Sequence, residues 1–286
     1  ALAEQIVDAD GVTIRTSPLP AEILERAERL KVVSRHGVGY DNIDVETLSR
    51  RGIPLAIAAD ANATAVAEHT LFFMLALAKQ GLRYDRATRE GGWAVRNSLD
   101  AVDLMGRRVL VMGFGRIGRE VAKRCAAFGM AVMVYDPYVQ ANVIEAAGDY
   151  RSVPDFQAVL GETDVLTVHM PLGPDSRSLI GAPELAALPD TAFVINAARG
   201  GIVDETALHE ALTTGKIAGA GLDVFDQEPP PDDHPLFALP NVILSPHSAG
   251  LSKEAAIRMA ISTARNALAG IDSKLDPSMV INREVL

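Results

Sequence analysis

The stretch Arg108-Val-Leu-Val-Met112 runs directly into Gly113-Phe-Gly115-Arg-Ile-Gly118, and residues with helical spacing follow it. A G-x-G-x-x-G motif between a strand and a helix is typical of a turn that binds a dinucleotide. Gly113 is expected to form the tight turn, Gly115 to let the backbone approach a pyrophosphate, and Gly118 to let the helix pack closely on the strand. The stretch therefore predicts a dinucleotide-binding unit. The alternative is a glycine turn that closes an ordinary βα unit.

An acidic residue follows the next predicted strand. That strand covers residues 131–135 and ends at Asp136, 18 residues after Gly118. A carboxylate at this place can accept hydrogen bonds from both ribose hydroxyls, and it repels the 2′-phosphate of NADP. We therefore predict NAD as the cofactor.

Strand-like and helical stretches alternate along most of the chain, which implies right-handed βαβ units and mostly parallel sheets. Residues 64–79 are predicted to form a largely buried helix with Thr64 as its N-cap, and residues 156–160 a short helix. The fold class is thus α/β with a doubly wound parallel sheet. The predicted strands are 12–15, 32–34, 55–58, 108–112, 131–135, 165–169, 192–196, 218–224 and 242–245.

Length and composition are those of a globular protein. The chain has 286 residues, of which 48% are hydrophobic and 22% charged, and this excludes disorder, collagen and coiled coil. The net charge of −10 argues against nucleic acid or an anionic membrane as the main partner, because such surfaces bind basic faces. No apolar run approaches the ~20 residues that a membrane span needs. The single cysteine, Cys125, fits a reducing, cytoplasmic location and offers no cysteine-based metal site.

Three later loops follow predicted strands, where a doubly wound sheet binds its ligands. They carry Asn196-Ala-Ala-Arg199-Gly-Gly, Gly221-Leu-Asp223-Val-Phe-Asp-Gln-Glu228-Pro229 and Leu244-Ser-Pro-His247-Ser-Ala-Gly250. In this order and spacing, the motifs resemble those of the D-isomer-specific 2-hydroxyacid dehydrogenases, the group that contains D-3-phosphoglycerate dehydrogenase and glyoxylate/hydroxypyruvate reductase. The resemblance covers nearly the whole chain. It implies hydride transfer between NAD and C2 of a short D-2-hydroxy acid or 2-oxo acid.

The chemistry of a 2-oxo acid supports the same three residues as catalytic. Arg199 supplies a charged planar fork that can bind carboxylate and carbonyl oxygens together. His247 can donate a proton to the developing alkoxide and take it back in the oxidation direction. Glu228 would stabilise the imidazolium and fix the orientation of its ring. Each residue also has a non-catalytic interpretation. Arg199 could anchor an ion pair, Glu228 could begin a loop, and His247 could be a polar side chain without a catalytic role.

The resemblance also implies further contacts. Asp223 and the backbone of Ala197 and Ala198 would hold the nicotinamide carboxamide, and consecutive N–H groups after the second predicted strand would form an anion nest for the substrate carboxylate. The alternative for that nest is a plain glycine turn. Besides Gly113, Gly115, Gly118 and Asp136, the implied cofactor residues are Val66, Arg116, Ile117, Met170, Pro171, Ala197, Ala198, Asp223 and Gly250. The implied substrate residues are Arg35, Gly37, Val38, Gly39 and Arg199.

In the family, the NAD domain is inserted into the substrate domain. The resemblance implies a smaller flavodoxin-like substrate domain over residues 1–61 and 251–286, and a Rossmann NAD-binding domain over residues 62–250. Closure near residues 61 and 250 would exclude water. The family begins with a further βα unit, which is expected upstream of residue 1. Trp93 and residues 81–100 resemble the dimerisation arm of the family, so a homodimer is expected.

Two substrate classes and two other functions stay open. Arg35, Arg50 or Arg51 could pair with the phosphate of 3-phosphoglycerate, or they could be solvated, which leaves glyoxylate, hydroxypyruvate or another short 2-oxo acid. Glu228 disfavours a formate dehydrogenase, which carries Gln at the matching position. A non-catalytic NAD-sensing corepressor could keep the same motifs. A nucleophilic or metal-dependent enzyme is disfavoured because the sequence has no HExxH motif, nucleophile elbow or cluster of metal ligands.

Overall fold

The computed structural model describes residues 2–286, which form two compact units. The smaller unit comprises the residues up to Thr64 together with Gly250–Leu286, and the larger unit is Ala65–Ala249. The structure divides the chain after Thr64 and after Ala249, whereas the sequence predicts domain boundaries after residues 61 and 250. Each unit has its own parallel sheet.

Within the described residues, the strands are β1 (Gly11–Ile14), β2 (Val32–Arg35), β3 (Leu55–Ile57), β4 (Arg108–Met112), β5 (Ala131–Tyr135), β6 (Tyr150–Ser152), β7 (Val165–Val168), β8 (Phe193–Asn196), β9 (Gly219–Leu222) and β10 (Val242–Leu244). The α-helices are α1 (Leu2–Gln5), α2 (Ala21–Leu24), α3 (Val45–Arg50), α4 (Ala63–Ala78), α5 (Gly81–Arg89), α6 (Arg116–Ala127), α7 (Ala141–Glu145), α8 (Ala182–Ala187), α9 (Glu205–Thr213) and α10 (Lys253–Ile271).

In the smaller unit, β1, β2 and β3 pair in that order, and both pairings are parallel. The long helix α10 packs against all three strands. Its N-terminus is capped by Ser252, whose hydroxyl accepts a hydrogen bond from the backbone N–H of Ala255. β2 ends at Arg35, so the predicted substrate loop begins at the carboxyl end of the central strand of this sheet.

In the larger unit, seven parallel strands are arranged in the order β10-β9-β8-β7-β4-β5-β6. Counted from β4, this is the 3-2-1-4-5-6 order of a Rossmann fold with one further strand at the edge. The chain direction across the sheet reverses between β4 and β7, and ligands bind at the carboxyl ends of strands beside such a reversal. The predicted α/β fold with a doubly wound parallel sheet is confirmed.

Helices cover both faces of the larger sheet, which explains why its inner strands are apolar along their whole length. On one face, α4 and α6 contribute Phe73, Met74, Val121 and Cys125 to a buried cluster. On the other face, residues of α8 and α9 such as Leu185 and Leu208 pack against the strands. Burial raises the pKa of the Cys125 thiol to about 12.

Three local predictions differ from the structure. Helix α4 begins at Ala63, so Thr64 lies inside the helix and the predicted N-cap is wrong. The short helix predicted over 156–160 is a 3₁₀ turn, Gln157–Glu162. The edge strand Tyr150–Ser152 was not predicted, because three residues that are partly or fully exposed give no apolar alternation to recognise.

Within residues 2–286, no helix combines the length and the apolar character that crossing a membrane requires.

Candidate active site

The glycine turn and the start of α6 form an open cradle. A Cβ atom on Gly118 would lie 1.9 Å from the carbonyl oxygen of Gly113, so this glycine allows α6 to approach the turn. A Cβ on Gly115 would meet no atom within 4 Å, which leaves space above the N-terminus of α6. The N-cap residue is Gly115, which provides no side-chain cap. The exposed helix start and the free space fit a pyrophosphate.

Asp136 lies at the carboxyl end of β5 and is fixed to the glycine turn. Its Oδ2 accepts a hydrogen bond from the backbone N–H of Phe114 at 2.7 Å, and its Oδ1 accepts one from the N–H of Tyr138 at 2.9 Å. Each carboxylate oxygen keeps a further lone pair for a ribose hydroxyl. The Asp136 side chain is partly exposed and can therefore reach a ribose. A dinucleotide thus fits both the hydrogen-bonding groups of this site and the free space above Gly115.

Several of the other predicted cofactor residues lie together in the larger unit. Val66, Ala197 and Ala249 form a small buried apolar cluster, against which Ile117 packs. The loop after β7 reaches the glycine turn as well, because a Cβ on Gly113 would lie 3.0 Å from the backbone nitrogen of Met170. Pro171 follows in this loop and is exposed, as Arg116 is at the start of α6.

The loop after β8 is held by the buried side chain of Asn196. Its Nδ2 donates to the carbonyl oxygen of Arg199 at 2.8 Å, and its Oδ1 accepts from the backbone N–H of Ala198 at 3.1 Å. Nη1 of Arg199 donates to the carbonyl oxygen of Ala198 at 2.7 Å. The sequence analysis predicts no role for Asn196. A polar residue at the end of a buried strand is the feature that could have indicated its role in holding the loop.

His247 and Glu228 form an ion-pair geometry at the carboxyl ends of β10 and β9. The Nδ1 atom of His247 lies 2.6 Å from Oε2 of Glu228. Oε1 of Glu228 accepts a hydrogen bond from the backbone N–H of Phe225 at 3.1 Å. With Nδ1 directed at Glu228, Nε2 is the ring atom left to meet a ligand, and the His247 side chain is 48% exposed. The backbone of His247 has a φ of 50°, in the left-handed region.

The pKa of Glu228 is lower than that of an ordinary glutamate. Partial burial raises this pKa, but hydrogen bonds from His247 and from the N–H of Phe225, together with the charges of His247 and Arg199, outweigh it. Glu228 is therefore a carboxylate at neutral pH and can hold a cationic imidazole.

Asp223 is 1% exposed and organises the loop that carries His247. Its Oδ2 accepts from the N–H of Ala249 at 2.8 Å, and its Oδ1 accepts from the N–H of Ser248 at 2.8 Å and from the hydroxyl of Ser245. Its carbonyl oxygen accepts from the N–H of His247 at 2.8 Å.

The predicted substrate loop lies in the smaller unit. Gly37 is buried with a φ of 130°, which favours glycine, and its carbonyl oxygen accepts a hydrogen bond from Ala58 at 3.0 Å. No backbone carbonyl among residues 2–286 accepts a hydrogen bond from the N–H groups of Gly37, Val38 or Gly39. Gly250, the last predicted cofactor residue, also belongs to this unit, where it packs against Asn62.

The arginines considered for a phosphate differ in their surroundings. Nη2 of Arg50 donates to the carboxylate of Glu25, and Arg51 donates to the carbonyl oxygens of Leu24 and, at 2.7 Å, Ala27. Both side chains thereby tie α3 to α2. Arg35 lies beside Gly37, with its Nη1 3.3 Å from a Cβ placed there, and this Nη1 donates to the carbonyl oxygen of His36, so Arg35 is the arginine at the predicted substrate loop.

Among the residues that the structure describes, no group of three or more His, Cys, Asp or Glu side chains could hold a metal ion.

Comparison with known proteins gives one consistent result. Residues 71–249 match the family model described as "D-isomer specific 2-hydroxyacid dehydrogenase, NAD binding domain". A D-3-phosphoglycerate dehydrogenase of Archaeoglobus fulgidus is 40% identical over 266 residues, which cover 93% of this chain and 50% of that protein. A glyoxylate reductase of Korarchaeum cryptofilum is 38% identical over 289 residues, which cover 100% of this chain and 86% of that protein.

A solved structure of D-lactate dehydrogenase from Aquifex aeolicus, complexed with NAD and lactic acid, superposes with a TM-score of 0.89 at 27% identity and covers 98% of this chain and 89% of that one. This chain spans about half the length of the phosphoglycerate dehydrogenases that it matches. The predicted family and the predicted NAD cofactor are confirmed. The chain belongs to the D-isomer-specific 2-hydroxyacid dehydrogenases.

Proposed function

We propose that this protein is an NAD-dependent oxidoreductase that interconverts a short 2-oxo acid and its D-2-hydroxy acid. The observation that carries the proposal is the 2.6 Å contact between Nδ1 of His247 and Oε2 of Glu228, on loops at the carboxyl ends of the NAD-binding sheet. Such a pair keeps an imidazolium oriented and ready to donate from its other nitrogen.

The cofactor would be held by residues of the larger unit. The start of α6 and Gly115 would take the pyrophosphate, and Asp136 would take the ribose hydroxyls. Val66, with Ala197 close to it, would offer an apolar wall to the nicotinamide ring. Bound NADH supplies the hydride that reduces the carbonyl carbon of the substrate.

Three side chains would bind the substrate and transfer the proton. Arg199 would bind the carboxylate and carbonyl oxygens of the substrate through its planar fork and polarise the carbonyl. His247 would give the proton on Nε2 to the developing alkoxide, and Glu228 would stabilise the imidazolium before that transfer. In the oxidation direction, the same Nε2 atom would accept the hydroxyl proton.

For the substrate carboxylate we propose the backbone N–H groups of Gly37, Val38 and Gly39, with Arg35 beside them. This is supported by the absence of backbone acceptors for these groups among residues 2–286. Arg50 and Arg51 donate to groups at the end of α2 and after it, which lowers the structural support for a phosphorylated substrate. We therefore favour an unphosphorylated 2-oxo acid, such as glyoxylate or hydroxypyruvate, over the phosphorylated alternative.

We propose a homodimer as the working form. Exposed apolar side chains on neighbouring helices line a groove of about 680 Å³, among them Phe72 of α4, Leu82 of α5 and Phe128 after α6. Apolar patches of this kind mark protein interaction sites. The net charge of −10 makes nucleic acid and anionic membranes unsuitable partners, and the buried thiol of Cys125 is consistent with a cytoplasmic location.

The proposed reaction can be tested by isotope transfer. NADH that carries two deuterium atoms at C4 is incubated with glyoxylate, hydroxypyruvate or phosphohydroxypyruvate, and the product is analysed by mass spectrometry and chiral chromatography. The proposal predicts one deuterium at C2 and a product of D configuration where C2 is a stereocentre. A protein that binds NADH but transfers no deuterium to either acid, or to phosphohydroxypyruvate, would instead be an NAD sensor.

A further inference from the structure

A histidine outside the proposed catalytic residues contacts the loop that carries His247. His69 lies in α4, one turn after Val66, and its Nε2 is 2.9 Å from the hydroxyl oxygen of Ser245. Its ring packs edge-on against Phe73, with the ring centroids 4.6 Å apart.

The direction of the hydrogen bonds follows from the number of available protons. The hydroxyl of Ser245 has a single hydrogen, and it donates that hydrogen to Oδ1 of Asp223. The same oxygen must therefore accept from His69, which requires a proton on Nε2 of this ring. Burial lowers the pKa of His69, although the charge of Asp223 opposes the shift, so the ring is neutral at neutral pH with its proton on Nε2.

Asp223 extends this chain of hydrogen bonds to the catalytic loop. Its carboxylate accepts from the N–H groups of Ser248 and Ala249, which follow His247, while its carbonyl oxygen accepts from the N–H of His247 itself. His247 has a positive φ, which is uncommon for a residue other than glycine and is maintained by its surroundings. The segment on both sides of His247 is thus held by one buried carboxylate.

We propose that His69 is a positioning residue for His247: it orients Ser245 towards Asp223, and Asp223 in turn holds the loop in the conformation that places His247 against Glu228. The proposal rests on the proposed function, because it assigns His69 to the same proton-transfer site. In this proposal His69 acts through Ser245 and Asp223.

Paired substitutions separate the hydrogen bond from packing. His69→Phe keeps an aromatic ring against Phe73 but removes the donor, whereas His69→Gln places an amide N–H near the position of Nε2. Ser245→Ala removes the hydroxyl, and Ser245→Thr keeps it. His209→Phe, on α9, makes the same change of side chain outside this network and serves as the control.

Turnover gives the first readout. His69→Phe and Ser245→Ala are each expected to lower kcat about tenfold, the effect of one hydrogen bond, while the dissociation constant of NADH changes less than threefold. The double variant should be no worse than either single variant, because both remove the same link. His69→Gln, Ser245→Thr and His209→Phe should retain most of the wild-type kcat.

A second readout does not depend on turnover. Hydrogen exchange of the backbone N–H groups of Ser248 and Ala249, which donate to Asp223, is followed by NMR in the protein without substrate. His69→Phe and Ser245→Ala should make these two N–H groups exchange faster, because Asp223 then holds the loop less firmly, whereas the N–H groups of β4 should exchange at wild-type rates. His69→Gln and Ser245→Thr should restore the slow exchange.

Exchange rates of Ser248 and Ala249 that stay at the wild-type value in all variants, or a His69→Gln variant as impaired as His69→Phe, would overturn the proposal. If the wild-type protein reduced no 2-oxo acid while the exchange rates changed as described, the proposed reaction would be wrong and the hydrogen-bond chain would stand.

Discussion

At the scale of single residues, the proposed catalytic roles rest on motifs that can be recognised directly in the sequence. Arg199, Glu228 and His247 each follow a strand, and the structure brings Glu228 and His247 into contact. The supporting residues could not be predicted in the same way. His69 and Ser245 are 176 positions apart, and their contact arises from the packing of α4 against the sheet. The spacing of residues within a local stretch of the sequence does not indicate such a contact.

Asp136 should determine the choice between NADH and NADPH. Asp136→Ala removes the carboxylate that would repel a 2′-phosphate and accept from the ribose, so the ratio of kcat/KM for NADH over that for NADPH is expected to fall at least tenfold. Steady-state kinetics with both cofactors measure the ratio. Asp155→Ala, which makes the same change at an exposed residue after β6, serves as the control. An unchanged ratio would place the specificity elsewhere.

His169 should make the stability of the protein depend on pH. Nδ1 of this ring is buried without a hydrogen-bond partner in the described chain, and burial lowers its pKa from 6.5 to about 3. The unfolded chain therefore takes up a proton near pH 6.5, whereas the folded protein does so only near pH 3, so stability falls as the pH decreases through this interval.

The His169→Gln variant, which keeps a polar group near Thr167, should lose less free energy of unfolding between about pH 7 and about pH 5 than the wild type. Urea unfolding at the two pH values measures the difference. His209→Gln is the matched control. Equal losses in His169→Gln and the wild type would show that His169 does not carry this dependence.

At the scale of elements, strands and helices were predictable where their period was clear. The run 108–112, the glycine turn and the following helix appear where the sequence predicted them. The errors lie at positions with weak periodicity: the short edge strand β6 was missed, and the start of α4 was placed one residue too late. Helix termini and edge strands depend on contacts made after folding, and their own residues specify them poorly.

The packing of α6 on the glycine turn gives a prediction at this scale. Gly118→Ala would place a Cβ 1.9 Å from the carbonyl oxygen of Gly113, so α6 must move away from β4, and both the melting temperature and NADH affinity should fall. Gly115→Ala meets no atom within 4 Å, so the melting temperature should be unchanged while NADH affinity falls. Differential scanning calorimetry and NADH fluorescence titration measure the two effects. Equal melting temperatures in the two variants would contradict this account of the turn.

At the scale of the whole molecule, the sequence predicted an α/β chain with an NAD-binding fold, and the strand order and the family match confirm it. The choice of substrate was not predictable from the sequence. The proposed preference for an unphosphorylated acid rests on the contacts of Arg50 and Arg51, and the number of arginines near the predicted substrate loop does not reveal these contacts.

The exposed apolar groove should hold two copies of the chain together. Phe72→Asp combined with Leu82→Asp would place two charges in the proposed interface, and the dimer should dissociate into monomers. Light scattering after size-exclusion chromatography measures the mass, and Tyr138→Asp, at an exposed position outside the groove, is the control. A wild-type protein that runs as a monomer, or a double variant that stays dimeric, would rule out this interface.

The most direct test of the central claim is NADH oxidation, followed optically, with glyoxylate, hydroxypyruvate, phosphohydroxypyruvate and pyruvate at equal concentrations, using the wild type and His247→Ala. The account predicts turnover by the wild type, with an unphosphorylated acid preferred, and a loss of about 10²-fold or more in His247→Ala at nearly unchanged NADH affinity. Full activity of His247→Ala, or no turnover of any of the four acids by a wild-type protein that binds NADH, would contradict it.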